Sequence, residues 1–569
     1  MNQLPKEGAG RPLYTSAPVL PAKQPETEGK PPSFWQSLPR RRVFLAAAAA
    51  SYLYGYYYVQ RSLPGLDADW SARVFWPLFA AAFLLGVSAF AQALGRAGSR
   101  NARFWAFCWL AQSAALALWN PHGSDWDIWQ VLAWHLTAVY WVLARTGMQA
   151  AGKANAMILL DGVAGLITLP FGQFFLRLRI MWGAVSAAVG GWRAKTGASI
   201  SKAMRRRAAE LAFGVLLAAG LALLAAGELR GADANFAALL DQWRCFFHWP
   251  AFGQAFWEEA FRQVFWFCFS LPVSAWLFGL AGGALRRQTP PVTEQKAYEL
   301  LGLAPRLPAL TGQIAVVGLC GVYALFFAVQ LAEYAAALGL PLAPAVASGF
   351  AVEGFWSLCR VLVLNFAVLA TVHFFGARPA DAPGRQRVLL AVFGVFGLGF
   401  AVLAAVKLGV YTELYGLTPR RILSAWVITV LLLGCVLAGV RLFRRIPAAR
   451  ILIAALALSF SLLCCADIEG VCLRDHLHRL ETGVAEQVDW DLVHRCVTVD
   501  QDRLAPVAAE ALRDLPLSAE DQALLWEQAW MIDDSYNRRM YGRCAMKRKM
   551  ERWLAGGCLV GLLLMAVWL

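Results

Sequence analysis

Charged and polar side chains set inside long apolar stretches are where this chain could do chemistry. Ionisable groups in hydrocarbon are costly, so a membrane chain keeps them there for pairing, ligand contact or proton movement. Glu353 and Arg360 lie seven residues apart, which places them on one face of a helix. Lys407, Tyr411 and Glu413 follow in a second apolar stretch, with Tyr411 one helical turn beyond Lys407. Gln330, Glu333 and Asn365 add polar groups at the ends or in the middle of neighbouring stretches. Two chemistries fit the candidate cluster Glu353, Arg360, Lys407, Tyr411 and Glu413. It could bind a ligand or a partner, or Arg360 could snorkel outward and pair with Glu353 to lock the helices.

Other reactive constellations are absent. The sequence has no Gly-rich phosphate loop with Lys-Ser/Thr, no His-Glu-x-x-His and no Gly-x-Ser-x-Gly. No catalytic residue, cofactor or metal is therefore assigned, and the chain is read as not an enzyme. His476, His478 and His494 sit near Cys472 and Cys496, but histidines two apart converge on a metal only in extended backbone, and the flanking residues read as helix or turn. His135 and His373 read as hydrogen-bonded packing groups. Cys472 and Cys496 could form a disulfide if their segment is extracytoplasmic.

The elements that hold these groups must be membrane helices. A run of about 17–25 apolar residues crosses a bilayer core as a helix, which satisfies its own backbone hydrogen bonds where lipid cannot. Such runs recur: 44–59, 74–94, 104–119, 128–144, 211–226, 261–285, 310–331, 354–375, 388–410, 422–442 and 451–465. The composition agrees, with 59% hydrophobic and 16% charged residues. The fold class predicted is all-α, a polytopic transmembrane helical bundle of about eleven or twelve spans with a small helical extramembrane C-terminal segment.

Charge gives the sidedness. The chain carries a net +15, but its Lys and Arg residues are sorted. Alternate loops hold 31 of them, against about seven in the loops between. By the positive-inside rule the N-terminus is cytoplasmic. Topology accounts for the basic balance, so no nucleic-acid partner is expected.

The chain then divides as follows. Residues 1–42 read as a disordered basic tail whose Arg40-Arg41-Arg42 anchors at the lipid surface. Residues 43–146 form a four-span bundle. Residues 147–208 contain an apolar stretch, 157–180, that is interrupted by Asp161, Pro170, Arg177 and Arg179 and flanked by basic residues on both sides. It reads as interfacial or re-entrant, followed by a cationic helix on the leaflet. Residues 209–465 form a seven-span core, with an aromatic-rich outer loop at 228–259. Residues 466–552 are soluble in composition, with 12 basic against 17 acidic residues, and eleven crossings put them outside. Residues 553–569 form a terminal apolar helix, whose preceding Lys547-Arg548-Lys549 conflicts with that placement.

Spans seven to eleven resemble a known family. The resemblance lies in Ala328-Val-Gln330 with Tyr334, in Gly349 through Phe355, and above all in Tyr411-Thr-Glu413-Leu-Tyr415-Gly416-Leu417-Thr418 with Arg421. Ala232 through Phe236, and Asp467 leading into Leu473-Arg474, resemble it too. The family is the bacterial polytopic membrane family of unknown function numbered 4173, related to that numbered 4153. The likeness covers roughly 210–480. It implies a bacterial cytoplasmic-membrane protein with an extracytoplasmic helical tail and no catalytic residues. Val352 and Lys407 stand where such proteins often carry Arg.

On the residues alone, Tyr411–Thr418 describes a tight outer turn. Gly416 can end one helix, and Thr418 with Pro419 starts the next. The function expected is a non-enzymatic membrane scaffold or sensor, with the lipid bilayer and an envelope protein as partners. The alternative is a transporter or permease using the outer-leaflet polar cluster. A transporter would line a midplane cavity with groups such as Arg360 and Asn365, whereas a scaffold would have a filled bundle.

Overall fold

The computed structural model describes residues 34–62, 70–118, 127–196, 254–302, 306–337, 344–377, 384–485, 487–499 and 501–515, with isolated positions between 207 and 225 and at 521. The sequence-based expectations for 1–33, the 228–253 part of the aromatic loop, the tail beyond 515 apart from 521, and 553–569 fall outside the described residues. So does the greater part of 211–226. Every element of regular secondary structure among the described residues is a helix, beside one isolated bridge between Leu307 and Gly376.

In chain order the helices are α1 Phe34–Ser37, α2 Arg41–Ser62, α3 Trp70–Ala93, α4 Arg100–Leu118 and α5 Asp127–Thr146. Next come α6 Ile158–Val163, a π-helical turn at Ala164–Thr168, α7 Leu169–Gly172 and α8 Leu176–Thr196. They are followed by α9 Gln254–Arg286, α10 Glu294–Gly302, α11 Ala309–Ala337, α12 Pro344–Phe375, α13 Arg385–Tyr415 and α14 Pro419–Phe443. The last are α15 Ala448–Cys464, α16 Ile468–Glu481, α17 Trp490–Val499 and α18 Gln501–Asp514.

Among the described residues, seven stretches are long and apolar enough to cross a membrane: 74–93, 158–192, 259–286, 309–331, 355–375, 385–415 and 419–443. Helices α15 and α16 meet at a 64° bend and would pass the same test only if counted as one broken span. Helices α2, α4 and α5 have 22, 19 and 20 residues, which at 1.5 Å per residue is about 30 Å each. Their aromatic rings and small residues lower the hydropathy but fill the bundle. Trp109, Trp134 and Trp141 are fully buried, and Trp134 donates its indole N–H to Ser113 at 2.7 Å. Around them pack Phe75, Phe79 and Phe83. His135 lies here too, bonded to the Tyr58 hydroxyl (2.6 Å) and the Val131 carbonyl (2.6 Å). It is a packing group held at both ring nitrogens.

Helices α2 and α9 pack closely along a seam of small residues. Gly55 sits against Ser274, and a Cβ at Gly55 would lie 2.8 Å from Ser274 Cα, while Ala48, Ser51 and Ser270 are buried on the same two helices. Small residues let two backbones come together where lipid offers no hydrophobic drive.

The basic loops have a second task at one end of the bundle. Arg96 donates to Thr146 O at 2.6 Å and to Arg287 O. Arg145 reaches Arg96 O at 3.2 Å and Ser88 O at 3.3 Å. These arginines satisfy carbonyls that helix C-termini leave without partners. These loop cations therefore also cap helices.

Helices α6 to α8 contact that same end at several points. Asp161 accepts from the Ala150 N–H (2.7 Å) and from the Tyr140 hydroxyl (2.9 Å). Pro170 O lies 2.5 Å from where a Cβ of Gly279 would sit, and Gln173 accepts from Arg286 at 3.3 Å. Gly183, further along, sits against Trp35. Arg177 alone reaches deeper, donating to Leu271 O (3.1 Å) with its guanidinium 3.8 Å from the Tyr52 ring centroid.

Candidate functional site

At the opposite end, the α13–α14 turn and the first tail helix build one constellation. Helix α13 ends because Gly416 adopts φ +74°, which a side chain disfavours. Helix α14 begins on Thr418, which is extended at φ −135° and ψ 157° and accepts from the Arg421 N–H, with Pro419 following. Arg421 reaches back to donate to Tyr415 O at 2.7 Å and to Gly416 O. Its guanidinium lies 4.4 Å from the Tyr411 ring centroid, and Tyr411 and Tyr415 are 5.0 Å apart ring to ring. A cation over the ring face adds attraction to the ordinary packing.

Helix α16 closes on this turn. Asp467 caps its N-terminus, accepting from the Gly470 N–H at 3.0 Å, and pairs with Arg474 at 3.2 Å. Two turns beyond Asp467, Asp475 accepts from the Leu417 N–H at 2.8 Å. Arg479, four residues beyond, donates to Glu413 O at 2.5 Å and Leu414 O at 3.3 Å. The pair thus matches both polarities of the turn: a carboxylate takes its free N–H, and a guanidinium takes two carbonyls at a helix C-terminus. Beneath this clamp Cys472, Leu473 and Leu477 join Leu492, Val493, Cys496 and Leu504 in one core, with Leu417, Ile422 and Trp426 packed against it.

The sequence-predicted cluster is divided by this geometry. Tyr411 and Glu413 belong to the clamp, Tyr411 through its ring and Glu413 through its backbone carbonyl. Lys407 is buried in α13. Arg360 is exposed on α12 and donates to Ser357 at 3.1 Å, within its own helix. The side chain of Glu353 falls outside the described residues. Asp475 and Arg479 were not singled out from sequence. Their spacing of four behind a capped helix start is the signal that could have found them.

Among the described residues no group of His, Cys, Asp and Glu is placed to hold a metal. His476 instead accepts the Asp489 N–H at Nε2 (2.9 Å), which leaves its proton on Nδ1. Cys472 and Cys496 are buried thiols here; burial pushes both up, Cys496 to about 12 with Glu469 adding to it.

His476 makes the tail acid-sensitive. Burial holds its pKa below the ordinary imidazole value, with Asp489 and Asp475 opposing that shift and Arg479 adding to it. A folded-state pKa below the unfolded one contributes stability that is complete above about pH 6.5 and lost as pH falls toward the depressed value. Protonation also removes the acceptor that Asp489 uses. Protease resistance of the tail is expected to fall as pH drops below about 6.5, and the fall should shrink in His476→Gln, which keeps an acceptor without titrating. Identical pH profiles for the two proteins would refute this.

Fold and site together define a polytopic, all-helical membrane protein whose helical tail is folded back on an interhelical turn. Comparison of the sequence with known families matches residues 106–515 to the Domain of unknown function (DUF4153). The chain belongs to that family, which the resemblance above named as the relative of family 4173. No curated protein and no solved structure matches it.

Proposed function

We propose that this protein is a non-enzymatic scaffold or sensor of the bacterial cytoplasmic membrane, with its N-terminus in the cytoplasm and its tail on the outer face. The observation that carries the reading is the Asp475–Arg479 clamp, which makes tail and turn a single ordered surface. The burial of Asn365 supports it as well. Asn365, the polar group a transporter would present to a pathway, is 4% exposed and accepts from the Tyr323 hydroxyl at 2.7 Å. Tyr323 in turn packs on Phe393 and Phe400, with centroids 5.9 and 4.8 Å away. Basic residues at the Arg96–Arg145 end support the cytoplasmic assignment of that end. Segment 158–183 is read as re-entrant, because both Asp161 and Gly183 contact that one end.

The test is photo-crosslinking in native membranes from exposed tail positions such as Glu481 and Arg495. A discrete envelope-protein adduct, lost when the tail is undocked, is expected. No adduct, together with solute flux in proteoliposomes that Asn365→Leu abolishes, would replace the scaffold with a transporter.

A further inference from the structure

A basic cleft of about 690 Å³ opens where α1 meets α2, lined by Trp35, Arg40, Arg41, Arg42, Val43 and Ala93. Its volume lies within the roughly 300–1,000 Å³ common for small-ligand sites. We infer that this cleft binds the phosphodiester headgroup of an anionic phospholipid.

Three observations lead there. First, the arginines oppose the local electrostatics. Helix α2 begins at Arg41, has no acidic residue in its first turn and instead places Arg41 and Arg42 there. A helix N-terminus is the positive end of the macrodipole, so cations are disfavoured and an anion is welcome. A departure of this kind from local preference marks a functional position when a ligand compensates it. A phosphate would answer the dipole and the guanidinium groups at once.

Second, the backbone is shaped for the cleft. Arg40 is the non-glycine residue with positive φ among the described residues, at +44°. It is held there from both sides: its carbonyl accepts from the Val43 N–H at 2.8 Å, and its guanidinium donates to Ala93 O at the end of α3. That corner turns the chain so that Arg41 and Arg42 are exposed beside Trp35. Bidentate guanidinium forks suit phosphate oxygens better than a point charge does.

Third, the lining is amphipathic in the order a lipid needs. The cationic rim precedes the apolar run of α2, and Val43, Ala93 and Trp35 supply an apolar wall. Among the described lining residues none is a carboxylate. Arg286, with its guanidinium 4.9 Å from the Phe34 ring centroid, adds a further cation at this corner. A free phosphate would use only the rim, whereas a phospholipid would use both parts.

The test uses the full chain in nanodiscs of dioleoyl phosphatidylcholine doped with dioleoyl phosphatidylglycerol, read by native mass spectrometry of retained lipid. Arg41→Gln/Arg42→Gln is expected to weaken phosphatidylglycerol retention by about 30-fold, since each surface cation contributes on the order of 1 kcal/mol toward anionic lipid. A control, Arg444→Gln/Arg445→Gln, removes the same charge from an exposed loop outside the cleft and is expected to leave retention within about twofold. Equal losses in the two variants would reduce the site to diffuse charge attraction and overturn it. Displacement of the lipid by millimolar inorganic phosphate alone would assign the cleft to free phosphate instead. Both variants are solvent-facing changes, and a preserved thermal midpoint checks that each remains folded.

Discussion

Gly55→Leu is expected to separate α2 from α9 and to lower bundle stability by about 3 kcal/mol, the upper part of the range for overpacked sites. The cost follows from what the new side chain meets. Its Cβ alone would approach Ser274 Cα to 2.8 Å, a backbone atom that cannot rotate away. Ser51, Ser270 and Ser274 are all buried along the same seam, so no neighbouring space can absorb the added atoms. Ser274 and Ser270 also turn their hydroxyls back to their own helix, at 2.7 Å from Ser270 O and Phe267 O, which keeps the seam narrow. Alanine at 55 gains about 1 kcal/mol of helix propensity, but its Cβ makes the same backbone clash. Gly190→Ala in α8 is the matched control, because nothing lies within 4 Å of a Cβ there. Denaturation of the purified protein in mixed detergent would read all three. A Gly55→Leu midpoint equal to the control's would show that the seam is not closely packed.

The seam illustrates what the sequence could and could not reveal. Apolar length and the sorting of arginines were enough for an all-helical membrane bundle, because both follow from the solvent and not from particular contacts. The ends of α13 and α14 were readable as well, since Gly416, Thr418 and Pro419 each act locally. The α2–α9 approach was not, because Gly55 and Ser274 lie more than two hundred residues apart and small residues alone name no partner. The polar cluster was grouped by depth along the spans. Depth does not say which way a side chain points, and Arg360 faces outward while Lys407 is buried. The tail clamp escaped for a different reason. Asp475 and Arg479 bond to backbone groups of the α13–α14 turn, and backbone acceptors and donors carry no residue type for a sequence to display.

That dependence on backbone partners makes the clamp the most sensitive point of the tail. Asp475→Ala removes a charged acceptor from the Leu417 N–H, a loss of about 2 kcal/mol for a hydrogen bond to an ionised group. Arg479→Ala leaves the Glu413 and Leu414 carbonyls to water and is expected to cost about 1 kcal/mol. The two act on one turn, so their effects should not add, and the double variant measures that coupling. Undocking α16 exposes the core that contains Cys472 and Cys496, which are 0% and 1% exposed when docked. Thiol labelling of those two cysteines is therefore the direct readout, with the remaining cysteines replaced by serine or alanine. A 2 kcal/mol loss should speed labelling through local opening by about 30-fold. Glu481→Gln supplies the comparison, since Glu481 is exposed at the end of the same helix and its carboxylate lies 3.7 Å from His478 of that helix and touches nothing in the turn. Its labelling should match the parent. If Asp475→Ala also matched the parent, the tail would be held by its apolar core alone, and the ordered tail surface on which the scaffold reading rests would no longer depend on the clamp.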